Sequence, residues 1–142
     1  MNASIIMYHP SSRGVGSALR FELHPYKVED PDSGRIEVGI APQDGDRFAW
    51  EDVLCVSLGF EDVSRMLMVF RGETESINDG KGITRRDCTF NISHVIEPVC
   101  GYRMILTIGN RLAAFMLKPA EALGISLALE QSMAKLVFDM EG

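Results

Sequence analysis

The chain has 142 residues, of which 46% are apolar and 24% charged, and its net charge is −6. This length sets the expectation of one domain, 1–142, large enough to bury a core, and the composition excludes a disordered chain. No apolar run reaches the roughly 18 residues of a membrane span, and the excess of acid argues against phosphate binding through bulk charge alone.

Residues 1–7 have neither a basic start nor a long apolar stretch, so no secretory leader is expected. Residues 10–17, rich in glycine and serine, read as a flexible approach to the first strand. That strand, 18–23, alternates Leu19, Phe21 and Leu23 with Arg20 and Glu22 and so is half-buried. Asp30-Pro31-Asp32-Ser33-Gly34 is a strong turn signal. The second strand, 35–41, turns Ile36, Val38 and Ile40 inward and forms a long hairpin with the first. Residues 48–58 contain a third strand, bent or interrupted near Trp50. A helix over 60–71 follows, with Val63, Met66, Leu67 and Phe70 on one side.

The polar loop 72–85 is expected to be disordered or adaptable. Strands at 87–96, 102–108 and 111–117 come next, the last two joined by a hairpin turn at Gly109-Asn110. Tyr102 shares a face with Met104 and Leu106, which favours a core or interface position for it. The second helix, 119–138, opens with Pro119 where proline is tolerated. It carries Ala122, Ile125, Leu129, Met133 and Leu136 on one stripe, with Gly124, Ala128, Gln131 and Lys135 opposite. So small an opposite face suits a helix packed on both sides, against its own sheet and against another protomer.

This order repeats. Leu54-Cys55-Val56-Ser57-Leu58 runs into the first helix as Ala114-Phe115-Met116-Leu117 runs into the second. An offset of 59 (117 − 58) pairs Leu58 with Leu117, Val63 with Ala122, Met66 with Ile125 and Phe70 with Leu129. The expected class is therefore α+β, with two antiparallel β-sheets and two helices from a duplicated strands-then-helix unit. The first copy spans about 8–71, the loop 72–85, and the second copy about 86–138.

Cys55, Cys88 and Cys100 fit neither a disulfide framework nor zinc-ligand pairs. Cys55 and Cys88 read as small core residues, and a reducing cytoplasm is the expected compartment. His9, His24 and His94 are isolated in sequence, Gly80-Lys81-Gly82 lacks phosphate-loop spacing, and Gly14-Val15-Gly16 precedes a strand rather than a helix. A pairing of Cys88 or Cys100 with His94 is more often plain packing than a nucleophile site. No catalytic constellation, cofactor or metal is therefore expected.

What remains is surface. Acid gathers over 51–75 and base over 81–111, a distribution that a mixed solvated surface also explains. Holding a single strand takes basic side chains along its backbone and exposed aromatic rings under its bases. Arg13, Arg20, Lys27, Arg35, Lys81, Arg85, Arg86 and Arg103 are the candidate cations. Tyr8, Tyr26, Phe48, Trp50 and Tyr102 are the candidate rings; Trp50, beside Glu51 and Asp52, could equally cover a helix end.

Over roughly 8–138 the order of motifs resembles the Whirly family of single-stranded DNA-binding proteins, with mitochondrial RNA-binding proteins and positive-cofactor coactivators as neighbouring possibilities. Arg13-Gly14-Val15-Gly16-Ser17-Ala18-Leu19 falls where that family has its lysine-glycine-lysine-alanine-alanine-leucine motif, with Arg13 and Val15 in place of the lysines. Gly34-Arg35-Ile36-Glu37-Val38 resembles its second strand, and Phe48-Ala49-Trp50-Glu51 its aromatic-Asp-Trp-Glu segment. Val56-Ser57-Leu58-Gly59-Phe60-Glu61-Asp62-Val63 is similar to its lead into the first helix. The resemblance implies two four-stranded sheets, a homotetramer with central helices, and single-stranded DNA along the sheet edges. It further implies sequence-tolerant binding, of DNA or else RNA, in genome maintenance, recombination or transcription control, with no membrane partner. Tyr8, Arg13, Arg20, Tyr26, Lys27, Arg35, Phe48, Lys81, Arg85 and Arg86 are the expected contacts. The alternative is an oligomeric protein-interaction scaffold of the same fold without nucleic-acid binding, which the acidic surface favours.

Overall fold

A computed structural model describes residues 3–140; Met1 and Asn2, part of the segment read above as no leader, lie outside the described residues. Among the described residues no helix is long and apolar enough to cross a membrane. The first sheet comprises β1 (Ser4–His9), β2 (Ser17–His24), β3 (Arg35–Asp44), β4 (Arg47–Phe48) and β5 (Leu54–Leu58). Its order is β1-β2-β3-β5, antiparallel throughout, with β4 paired to the far end of β3. A 3-10 turn over Trp50–Asp52 separates β4 from β5, the interruption expected near Trp50. Helix α1 (Phe60–Phe70) follows. The second sheet, β6 (Ile83–Arg85), β7 (Cys88–Val95), β8 (Gly101–Ile108) and β9 (Arg111–Leu117), is also antiparallel and leads into α2 (Pro119–Ser132).

The period-two alternation holds in both sheets. Leu19, Phe21, Ile36, Val38, Ile40, Leu54 and Val56 point into one core with Phe90, Ile92, Met104, Leu106 and Phe115 of the second sheet. Each such side chain contributes on the order of 1.5–3 kcal/mol by leaving water. The helices close that core: Val63, Met66 and Val69 from α1, Ala122, Ile125 and Leu129 from α2, all buried. All four offset-59 pairs occupy like places, with only Phe70 half-buried rather than buried.

Several expectations are corrected. Residues 4–9 form a strand the sequence reading did not assign; Ser4, Ile6 and Tyr8 alternate outward against Ile5, Met7 and His9. Its apolar residues fall on both faces, which hides the period. Residues 10–17 are not a flexible approach but a pinned turn between β1 and β2. Loop 72–85 is ordered. A 3-10 turn at Ile77–Gly80 buries Ile77, β6 buries Ile83, and Asn91 Oδ1 accepts the Ile77 N–H at 3.1 Å. Helix α2 ends at Ser132 and passes into a 3-10 turn, Met133–Leu136, which buries Leu136. Ile77 and Leu136, again 59 apart, thus each plug the core after their helix. Cys55 is not a core residue: it lies on the outer face of β5 opposite Gly39, half-buried, whereas Cys88 packs partly against the core.

The helix N-termini knit the two halves together. Asp62 accepts the Gly59 N–H at 3.1 Å and Glu121 the Lys118 N–H at 2.8 Å, each satisfying an otherwise unpaired donor at its helix start. Each acid also binds a base from the first strand of the other unit. Arg85 of β6 pairs with Asp62 of α1, and His9 of β1 meets Glu121 of α2 at 2.8 Å. Burial alone would push the Glu121 carboxyl up, but the Lys118 N–H and His9 together hold it below its ordinary value of 4.5. A carboxyl lowered in the folded state contributes stability that is complete above its unfolded value and is lost as pH falls through its folded one. Glu121→Gln should therefore lower the urea midpoint at pH 7 and flatten its decline below about pH 4.5; an unchanged acid limb would show that the cap carries no linkage.

Candidate nucleic-acid interface

Because the helices and the core take the inner faces of both sheets, the outer faces are left for a ligand. The candidate side chains gather at two ends of the first sheet. These ends are separated along β3 by the eight residue steps from Arg35 to Gln43, about 26 Å at ~3.3 Å each.

At one end Tyr8 of β1 and Phe48 of β4 pack together, ring centroids 5.2 Å apart, with Tyr8 52% exposed. The adjoining β1–β2 turn carries Arg13 and is held by one side chain. Gln43 Oε1 accepts the N–H groups of Ser11 (2.8 Å) and Gly16 (3.0 Å), while Nε2 donates to the carbonyls of Ser11 (3.1 Å) and Gly45 (2.8 Å). Position 16 must be glycine, since a Cβ there would lie 2.1 Å from the His9 carbonyl oxygen. Arg20, on the outer face of β2, lies 5.1 Å over the Trp50 ring and 3.7 Å from Glu37. Trp50 therefore covers Arg20 rather than a helix end. Arg47 takes up two nearby acids, Glu51 at 3.0 Å and Asp44 at 3.5 Å, and its hydrogen bond lowers the Glu51 carboxyl.

At the other end a groove of about 590 Å³ runs between the β2–β3 loop and the start of α1. Tyr26, Arg35, Phe60 and Arg85 line it, with Asp32 as its acid. Tyr26 is half-buried and its N–H donates to the Lys135 carbonyl at 2.7 Å. The Arg35 guanidinium donates to the Ser33 carbonyl at 3.3 Å and among the described residues enters no ion pair, whereas Arg85 is committed to Asp62. Lys27 is exposed in the β2–β3 loop and Arg86 in the β6–β7 turn. Lys81 stands apart, exposed after the 3-10 turn of the 72–85 segment.

Among the described residues the side chains of Arg13, Lys27, Lys81, Arg86 and Arg103 have no carboxylate partner. Arg103 is exposed on β8, the one cation on the outer faces of β7, β8 and β9 as described. Tyr102 belongs to the interior as expected, stacked on His94 at 4.9 Å and donating its hydroxyl to the Phe70 carbonyl at 3.4 Å. Cys100 and His94 lie at the exposed end of the second sheet, Sγ 4.0 Å from Nε2. Sequence reasoning missed Phe60 and the whole setting of Tyr8. The run Ile5-Ile6-Met7-Tyr8, apolar and rich in β-branched and aromatic residues, was the available signal for the strand.

The chain has the Whirly-like fold. It superposes on the plant transcriptional regulator PBF-2 with a TM-score of 0.75 at 17% identity, covering 96% of this chain and 82% of the other. WHY1 from Arabidopsis thaliana gives a TM-score of 0.73 at 15% identity, over 96% of this chain and 86% of that one. A guide-RNA-binding protein complex bound to its RNA gives 0.68 at 15% identity, over 93% and 88%. No family model matches the sequence, and no curated protein matches it. At these identities the likeness is one of fold.

Gln43→Ala would strip two backbone N–H groups of their acceptor. It should cost about 1–3 kcal/mol and speed amide exchange at Ser11 and Gly16 specifically; exchange that stays slow there would show the turn holds itself.

Proposed function

We propose that this chain binds single-stranded nucleic acid, DNA in the first instance, with little dependence on sequence. The carrying observation is the exposed Tyr8 packed on half-buried Phe48 at the end of the first sheet, beside a turn whose Arg13 no described carboxylate claims. Two rings at a sheet end offer a stacking platform that every base can use. Tyr26 and Arg35 supply a second anchor about 26 Å away along β3, a span of several nucleotides. Lys27, Arg85 and Arg86 would meet phosphates beside it, Lys81 would do so from its separate place after the 3-10 turn, and Arg20 would act from the sheet face between. The fold neighbours, a transcriptional regulator and a guide-RNA-binding complex among them, support a nucleic-acid reading and keep RNA as the second ligand. Transcription regulation or genome maintenance, in the cytoplasm or another reducing compartment, is the corresponding role. The chemistry is that of a binding module rather than an enzyme.

Assembly belongs to the same proposal. The outward side of α2 presents Leu123 and Leu127, 61% and 54% exposed, around Gly124. Apolar residues flanking a glycine on a solvent-facing helix let a second copy approach closely. A homotetramer with α2 at its centre would leave the sheet ends facing outward.

Sedimentation and fluorescence anisotropy with a labelled single-stranded oligonucleotide test both parts. The free chain should sediment as an oligomer. Binding at low salt should be micromolar or tighter, and log affinity should fall with log salt by ~0.7 per phosphate neutralised. Tyr8→Ala and Phe48→Ala should each cost ~1–3 kcal/mol of binding. An oligomer that fails to bind DNA or RNA at micromolar protein would favour the interaction-scaffold reading instead.

A further inference from the structure

The outer face of the first sheet sets two carboxylates directly against each other. Glu22 of β2 is the register partner of Glu37 on β3, and His24, two residues along β2, shares their face. Like charges in that position destabilise a strand pair. Their local compensation is an imidazole Nε2 at 3.0 Å from Glu22 Oε1 and an Arg20 guanidinium that reaches Glu37 only at 3.7 Å. All three side chains are partly buried, so solvent screens this repulsion incompletely.

One donor atom from each of Glu22, His24 and Glu37 lies within 4.8 Å of the other two, the one such convergence of histidine, cysteine or acid among the described residues. Two carboxylate oxygens and an imidazole nitrogen form a mixed set that suits a borderline divalent ion such as zinc. Magnesium and calcium prefer oxygen alone. Zinc bonds of ~2.0–2.2 Å put tetrahedral ligand atoms about 3.5 Å apart. The three atoms need close by only about 1 Å, within the reach of glutamate torsions, and water would fill the fourth position. Adjacent strands in register hold such ligands better than a loop does. Cys55 is the neighbouring soft donor, but its sulfur lies outside the convergence of the other three ligand atoms. Arg20 can keep one oxygen of Glu37 while the other faces the ion.

We propose that Glu22, His24 and Glu37 form a binding site for a zinc-class divalent cation on the outer face of the first sheet. Such an ion would cancel the paired negative charge between the two ends of that face. That would leave Arg20 and Arg35 as the unopposed charges of the face.

The test uses the full chain, stripped with a chelator and titrated with zinc against a chromophoric competitor, then with cobalt in visible absorption. One zinc per chain at micromolar affinity is expected, uncontested by an equal concentration of magnesium. His24→Gln, Glu22→Gln and Glu37→Gln should each weaken it at least tenfold without altering the metal-free circular dichroism. The cobalt spectrum of the unaltered chain reports the ligands without any variant, and it should lack thiolate charge-transfer bands. Absence of stoichiometric uptake, a thiolate band, or undiminished affinity in His24→Gln would overturn the assignment and leave a plain histidine–glutamate ion pair. Zinc uptake is read with no oligonucleotide present, so its outcome is independent of whether the chain binds one.

Discussion

Each helix begins with an acid that is shared between the two halves of the molecule. Asp62 accepts the Gly59 N–H of its own helix and holds Arg85 from the second sheet, while Glu121 accepts the Lys118 N–H and holds His9 from the first. The helix of each unit thus docks on the strand end of the other. Residues 59 apart also touch one another, as Arg71 does Glu130 and as Arg111 does the Asp52 carbonyl. In a two-fold arrangement equivalent positions can meet only near the axis. One pseudo-two-fold axis therefore runs past the C-terminal parts of both helices and out near Asp52. Neither sheet-plus-helix unit buries its apolar face alone; crossed docking joins both into one core.

That arrangement decides what the surface can do. With both helices on the inner side, the outward face of β2, β3 and β5 is left to carry function: Ala18, Gly39 and Ala41 are covered there, while Arg20, Glu22, His24, Arg35 and Glu37 remain partly exposed. The net charge of −6 is a poor guide to this face. Arg47 is spent on Glu51 and Asp44, Arg65 on Glu61, and Arg71 on Glu130, all at exposed sites where such pairs stabilise little. Arg13, Lys27 and Arg86, in turns, have no carboxylate partner among the described residues. Local neutrality at the sheet ends therefore coexists with an acidic total.

Period carried most of what was legible in the sequence. Alternation in 18–23, 35–41 and 102–108, and helical spacing in both helices, placed the inward residues correctly because burial imposes the same period on any sequence. It failed for β1, whose two faces are both partly apolar, and for Ile77 and Ile83, single plugs within a polar segment. Cys55 is different: the alternation of Leu54, Val56 and Leu58 puts it outward with Ser57, and the core reading followed its apolar neighbours instead of that period. Of the candidate site, the partnership of Tyr8 with Phe48 and of Arg20 with Trp50 joins residues about forty and thirty positions apart, and no local pattern encodes such a meeting.

The sequence by itself determined the class: two runs of strand into helix, spaced 59 residues apart, each with an acid at the third helical position. Those are local facts, written in side-chain period and helix capping, and they need no partner to be read. Only the tertiary structure decided which arginines are free, which rings are exposed, and that Glu22 faces Glu37. Registry across strands is fixed by the packing of the whole sheet on its core, so the charges that share a face are chosen by pairing partners far away in the chain.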